Sequence, residues 1–407
     1  MEPSIDLYAV ILLLGAAHGL FLTIVLLNAK AGDLKAHWFL ALLTLVFTLD
    51  LGLAFLEHSR YLIHFPWLLT LDLNIDYLFG PLTYLYVRVL SNRDEYRFTP
   101  KQWLHFFPFL LGFLLLAPLY GLEQEQLITL LYLDGVSLEP KQLWAEVSSI
   151  VVGVSSILQM AIYLFVAIRR LIRHRRNIQQ EFSFLERISL NWLRNLLFAL
   201  ALLYLLYILD IFLIGILELY DGMPGIHYPM IVVLIYIMGY MGLRQPKIFS
   251  RHRTQASEST VSEHPPEPEL EQKQDQERRK YEKSALDRET SSMLFDELRA
   301  HMETEKPYLD STLNLAQLAA QLRISPNYLS QVINEQGQQH FFDFVNRYRV
   351  EEAKVALAGT GERGNVLTIA LDAGFNSKSA FYTAFKRHTG QTPTQYRRSG
   401  DTPGAQD

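Results

Sequence analysis

Seven apolar runs, at 7–27, 38–56, 68–90, 103–120, 147–168, 192–217 and 228–243, fill most of the first 243 positions of this 407-residue chain. A helix that crosses a bilayer needs about 20 predominantly apolar residues, so the pattern predicts a multi-pass transmembrane bundle. The opening MEPSID carries two acids and neither Lys nor Arg, and the run behind it is longer than the core of a secretory signal. The first run is therefore expected to stay in place as a span. The third run is interrupted by Asp72, Asp76 and Gly80-Pro81, and the fourth is short and carries Pro108 and Pro118.

Loop charge sets the expected orientation. Lys30 and Lys35 follow the first run, and Arg93, Arg97 and Lys101 follow the third. Arg169, Arg170, Arg173, Arg175 and Arg176 follow the fifth, and Arg244, Lys247, Arg251 and Arg253 follow the seventh. The alternate loops are acidic or weakly charged, with Glu123, Glu125, Asp134, Glu139 and Glu146 after the fourth run and Glu218 and Asp221 after the sixth. Cytoplasmic loops are enriched in Lys and Arg, so the expectation is a bacterial inner-membrane protein with a periplasmic N-terminus and a cytoplasmic C-terminus. The domain plan follows: a seven-helix sensor region at 1–250, a Ser-, Glu-, Gln- and Pro-rich tether at 251–284 too polar to build a core, and a soluble domain at 285–400. The chain has no cysteine, which excludes disulfides and thiolate metal sites.

The soluble part reads as two short helix pairs. In the stretch 365–398, Leu367, Ile369 and Ala370 give an apolar face, Gly374 breaks the run where a reversal needs positive φ, and Ser377 can cap a following helix. Phe381, Ala384 and Phe385 form the buried side of that helix at i, i+3, i+4, leaving Lys378, Ser379, Tyr382 and Lys386 on the other side. Upstream, 313–323 and 325–335 repeat the pattern, with Pro326 suited to a first helical turn, Leu329, Val332 and Ile333 inside, and Asn327, Ser330, Gln331 and Asn334 outside. Between the pairs, 341–357 reads as a connecting helix of about 25 Å at 1.5 Å per residue. Two second helices on one face would enter successive major grooves, whose centres lie about 34 Å apart.

The string from 374 to 398, GFNSKSAFYTAFKRHTGQTPTQYRR, resembles the signature of the AraC/XylS family of transcription regulators, and the upstream pair extends the resemblance. The whole plan resembles membrane-anchored members of that family, which implies an all-α chain: a transmembrane bundle followed by a double helix-turn-helix DNA-binding domain. The resemblance carries the family's base-reading positions onto Asn327, Ser330 and Gln331 in the first pair and Lys378, Ser379, Tyr382 and Thr383 in the second. It implies double-stranded promoter DNA as the partner, to which the apolar runs add membrane lipid, the acids within them a small ligand or ion, and the modest local charge a second copy of the chain in a homodimer.

The formal net charge of −5 is not the usual footprint of a nucleic-acid binder, and even 361–398 sets only six basic residues against two acids. Non-specific attraction is then weak, and affinity has to come from groove contacts. No Gly-rich phosphate loop, paired catalytic acids or metal-ligand cluster stands out in the soluble part, so no catalytic residue, metal or cofactor is expected. The competing class is a membrane receptor or transporter whose helical tail docks proteins. On the input side, Asp50, Asp72, Asp76 and Asp210 fall in the outward half of their runs, with Asp72 and Asp76 on one face at i, i+4. Ionisable groups at that depth are costly unless they face a wet cavity or a partner, which makes the four a candidate sensor pocket for a cation, a protonated ligand or protons.

Overall fold

The computed structural model describes residues 4–28, 34–65, 67–92, 98–123, 125–126, 139–184, 190–216, 225–243, 288–359 and 365–400. The tether expected at 251–284 lies outside the described residues. Among these the chain is all-α, with one antiparallel bridge, between Phe182 and Asn314, outside the helices. It divides into two compact units, Met1–Ile172 with Leu190–Ser250, and Arg173–Ser189 with Arg251–Asp407.

The first unit is a bundle of long apolar helices: α1 (Leu7–Leu27), α2 (Leu34–His58), α3 (Leu68–Ser91), α4 (Phe107–Leu115), α5 (Pro140–Glu181, of which the part to Ile172 belongs here), α6 (Asn191–Asp210) and α7 (His227–Leu243). Asp6 caps α1 by accepting from the Ala9 N–H at 2.8 Å. A Cβ on Gly19 would run into Thr48 Oγ1 and crowd Ile235, so the missing side chain is what lets α1 approach α2 and α7. Thr44 and Thr48 satisfy their hydroxyls on α2 itself, donating to the carbonyls of Leu40 and Thr44 at 2.8 Å each. The core takes in Phe47, Phe79, Tyr86, Leu197 and Leu234, while Leu14, Phe21, Leu104, Leu114 and Phe198 stand exposed on the outside. A surface of that kind is costly in water and suits lipid.

Five described helical stretches are long and apolar enough to cross a membrane: Leu7–Leu27, Lys35–His58, Pro100–Gly121, Pro140–Glu181 and Asn191–Leu213. The third and seventh runs also fold as helices, yet they stand outside that set. Asp72, Asn74 and Asp76 lower the apolarity of α3, and the apolar stretch of α7, His227–Tyr240, is shorter. Pro108 and Pro118 leave their mark on the fourth run, which folds as a 3₁₀ turn (Pro100–Phe106), α4 and a second 3₁₀ turn (Ala117–Gly121). Helix α5 has 42 residues, and at 1.5 Å each it is about 63 Å long, twice a bilayer's hydrocarbon core of about 30 Å.

The second unit holds α8 (Arg288–Thr304), α9 (Leu315–Gln321), α10 (Pro326–Gly337), α11 (Phe341–Gly359), α12 (Val366–Asp372), α13 (Lys378–Thr389) and α14 (Pro393–Gly400). Helix α9 begins in a reciprocal cap, in which the Gln317 N–H donates to Asn314 Oδ1 at 3.0 Å and the Asn314 N–H to Gln317 Oε1 at 2.9 Å. The chain reverses after α9 at Arg323, φ +56°, and after α12 at Gly374, φ +87°. A Cβ on Gly374 would strike the Tyr308 carbonyl oxygen, so that turn needs glycine for space as well as for φ.

Two hydrophobic cores result, and α11 serves both. Its Phe341, Phe344 and Val345 pack with Leu298, Leu318, Leu329 and Ile333, while its Val350, Ala353 and Leu357 pack with Ile369, Phe375, Phe381 and Phe385. On α12 the apolar stripe runs Val366, Ile369, Ala370, Ala373, and Leu367 stands 41% exposed instead of joining the inner face expected for it. One step of 100° around the helix explains the difference, because Val366 completes the i, i+3, i+4, i+7 stripe.

Arg349 sits between the two cores and is 1% exposed. Its Nε donates to the Tyr308 carbonyl at 2.7 Å, Nη2 to the Asp310 carbonyl at 2.8 Å and Nη1 to Asn346 Oδ1 at 3.3 Å, and its guanidinium lies 5.9 Å from the centre of the Phe375 ring. Burial pushes its pKa down to about 10, against the opposing charge of Asp310, so it remains charged at neutral pH.

Phe385 is fully buried and touches Phe381 and Tyr396 edge-on. Phe385→Ala is expected to cost about 3–5 kcal/mol and to lower the thermal midpoint of the second unit sharply; a melt of the purified chain that matches wild type would contradict this packing.

Candidate nucleic-acid interface

Each helix pair presents its second helix through a local cap. Ser325 accepts from the Tyr328 N–H at 3.3 Å to start α10, and Pro326 opens its first turn. Ser377 accepts from the Ala380 N–H at 3.1 Å to start α13, which ends at Gly390, φ +76°. These caps fix where the first exposed turn of each helix begins, and that turn is where a recognition helix meets base edges.

On α10, Asn327 is exposed and Ser330 and Gln331 are half-buried. Gln331 Nε2 donates to Glu335 Oε1 at 2.9 Å, so its amide lies along the helix surface. Asn334 Nδ2 stands 3.4 Å from Ser330 Oγ. On α13, Lys378, Ser379 and Thr383 are exposed, with Lys378 Nζ 5.5 Å from the centre of the Tyr382 ring. Tyr382 differs from its neighbours. It is half-buried, packs edge-on against Phe381, and its hydroxyl pairs with Thr394 Oγ1 at 3.3 Å, so the ring leans on the start of α14.

Several basic side chains of the second unit are held in ion pairs. Arg387, near the end of α13, places Nη1 2.7 Å from Asp343 Oδ1 and so ties α13 to the start of α11. Lys306 pairs with Glu352 at 3.0 Å and holds that carboxyl below its usual range. Arg398 is exposed and Arg397 half-buried on α14.

The four acids of the first unit fall into two settings. Asp50 from α2 and Asp72 and Asp76 from α3 line one cavity of about 120 Å³, together with Phe47, Phe79, Tyr204, Tyr207, His227 and Tyr228. The Tyr207 hydroxyl donates to Asp76 Oδ2 at 3.1 Å, and no Lys or Arg is among the lining residues. Asp210 is outside that lining. It accepts from the Ile226 N–H at 3.2 Å, the His227 N–H at 3.0 Å and His227 Nδ1 at 2.5 Å, which makes it the cap of α7. Sequence reasoning passed over the tyrosines and His227; their spacing of three residues at Tyr204 and Tyr207 was the available signal.

The matching family model lies within the second unit. Residues 318–399 match a family model described as a helix-turn-helix domain. The chain is 40% identical over 91 residues to an uncharacterized HTH-type transcriptional regulator of Staphylococcus aureus (strain COL), which is 22% of this chain and 12% of that protein. It is 32% identical over 108 residues to the uncharacterized HTH-type transcriptional regulator YijO of Escherichia coli (strain K12), covering 26% of this chain and 36% of the relative. It is 29% identical over 89 residues to the melibiose operon regulatory protein of the same organism, covering 22% and 29%. Among solved structures, the C-terminal domain of AraT, a response regulator from Geobacillus stearothermophilus, is 32% identical over 27% of this chain and 88% of that one, with a TM-score of 0.24. The second unit thus carries a helix-turn-helix domain of the kind found in transcriptional regulators.

Gln331→Ala and Lys378→Ala are each expected to weaken specific DNA binding by about 1–3 kcal/mol while the domain stays folded. Unchanged affinity in both variants, measured by gel shift against competitor DNA, would place the reading face elsewhere.

Proposed function

We propose that this chain is a membrane-anchored, sequence-specific DNA-binding transcription regulator of the AraC/XylS type. The observation that carries the reading is the arrangement of α11, which anchors two separate cores, each bearing a capped helix with a polar outer turn. A docking module needs neither the second capped helix nor the polar outer turns. Asn327, Ser330 and Gln331 supply the first reading set, and Lys378, Ser379 and Thr383 the second. Tyr382 contributes its ring, because its hydroxyl is already engaged. Gln suits an adenine edge and Lys a guanine edge.

The apolar bundle anchors the regulator in the bacterial inner membrane, N-terminus outside, and a homodimer would double the number of half-sites read. A genome-wide footprint of the membrane-resident chain tests the reading. Occupancy concentrated at a few promoters, and lost in the Gln331→Ala, Lys378→Ala double variant, is the expected result; uniform or absent occupancy would overturn it.

The signal enters, on this reading, at the cavity lined by Asp50, Asp72 and Asp76. Three carboxylates with no Lys or Arg among the described residues that line their cavity are costly in an apolar bundle unless a cation, a protonated ligand or protons compensate them. Pro81, inside α3 five residues beyond Asp76, is where a bend can shift when the cavity fills. Asp76→Asn is expected to fix reporter output in one state with normal protein level. Asp210→Ala, which removes the cap of α7, is expected to lower the protein level instead. Normal induction in Asp76→Asn would remove the cavity from the mechanism.

A further inference from the structure

Residues 181–184 continue directly from α5 and belong to the second unit, where they lie against the helix-turn-helix domain. Phe182 forms the antiparallel bridge with Asn314, the capping residue of α9. The Ser183 N–H donates to the Leu313 carbonyl at 3.3 Å and its hydroxyl donates to the same oxygen at 2.5 Å. The Ser183 carbonyl accepts from Arg349 Nη1 at 3.0 Å and from Asn346 Nδ2 at 3.3 Å, and Ser183 Oγ accepts from Arg349 Nη2 at 3.0 Å. Ser183 is 1% exposed, so both of its backbone polar groups and its hydroxyl are satisfied by the domain.

The dependence runs the other way too. Without Ser183, Arg349 would keep its bonds to Tyr308, Asp310 and Asn346 but lose two acceptors in a site that water does not reach. A charged donor left short of partners in such a place is expensive. The seat also lies at a mechanical centre. Leu313 and Asn314 start the first helix pair, and Arg349 stands between the two cores of α11. Edge pairing of an extended segment, with a side-chain clamp for register, is a recurring mode of peptide recognition.

We propose that residues 182–184 are an integral docking segment of the DNA-binding domain, which reaches its reading geometry only when the end of α5 is seated on Leu313, Asn346 and Arg349. The surface is specific for a short extended segment carrying a small hydroxyl residue, and its partner is this same chain. Whatever withdraws the end of α5 empties the seat and loosens the coupling between the two reading helices. This rests on the reading that the second unit binds DNA.

Two measurements on the full-length chain in membranes keep that reading and the docking separable. The chain has no cysteine of its own, so a Phe182→Cys, Asn314→Cys pair reports on docking without background. Antiparallel bridge partners lie about 4.5–5.5 Å apart at Cα, within the span of a disulfide. Oxidation is expected to give a rapid intramolecular cross-link absent from either single variant, and failure to form it would overturn the docking whatever the domain binds. Ser183→Pro removes the N–H that pairs with Leu313 and is expected to weaken promoter binding by roughly tenfold or more, whereas Asn177→Ala, an exposed change on the same helix, leaves it unchanged. The oxidised cysteine pair, introduced into the Ser183→Pro chain, is expected to restore binding by holding the segment in its seat. Wild-type binding by Ser183→Pro, or no recovery once the cross-link has formed, would overturn the proposal.

Discussion

A single buried guanidinium organises the second unit. Among the described residues Arg349 hydrogen-bonds to no carboxylate, the Asp310 charge acting on it without a bond, and it is satisfied by carbonyl oxygens of Tyr308, Asp310 and Ser183, a side-chain amide and a hydroxyl. Those acceptors come from three pieces of chain, so the charge can be accommodated only when all three have converged. The loop before α9, the middle of α11 and the segment after α5 are held in one register by that requirement. The turn after α12 is held at the same place, since Gly374 lies over the Tyr308 carbonyl that Arg349 grips and Phe375 lies beside the guanidinium. Replacing such a group by an apolar one can preserve stability, but it would release the convergence. For the two capped helices α10 and α13, that convergence decides whether they are held as one rigid body or move independently.

The first unit answers to a different constraint. Its apolar exterior requires side-chain hydroxyls to be satisfied internally, which Thr44 and Thr48 do on their own helix, and its polar residues to be gathered where they can serve one another. Asp210 belongs to that structural economy, because its carboxylate accepts from the Ile226 and His227 N–H groups at the start of α7. Asp50, Asp72 and Asp76 do not, and Asp76 is met by a tyrosine hydroxyl, not a cation. The contrast between a carboxylate engaged by three donors and three carboxylates facing one cavity separates scaffold from candidate input.

How much of this was legible in the sequence depends on whether the signal is local. Caps and turns are local: Ser325, Ser377 and Gly374 mark the borders of their helices because the chemistry that starts or reverses a helix sits within three residues. Apolar runs are local too, although Pro108 and Pro118 broke the fourth into short pieces and the acids of α3 set it apart. Arg349 was harder to read. It falls on the stripe Val345, Arg349, Ala353, an arginine on an apolar face at i, i+4, yet nothing nearby in sequence says which distant carbonyls will receive it. Residues 182–184 carry no pattern at all, since pairing of an extended segment depends on its backbone. Assignment of 1–250 to the membrane region accordingly gave no hint that 173–189 lie in the second unit. Leu367 shows the same limit at smaller scale, where three apolar residues in a short helix leave the inner face undecided by one position.

On the proposed function, α10 and α13, held together through α11 and Arg349, read DNA as one rigid body. Binding of the full-length chain to its promoter as a function of the spacing between the two half-sites tests this most directly. Major grooves on one face recur about every 10–10.5 base pairs, so inserting about five base pairs turns one half-site to the opposite face. Affinity is expected to fall toward the non-specific level with that insertion and to recover in part with an insertion of one full turn at unchanged sequence. Affinity that does not vary with spacing would contradict the account.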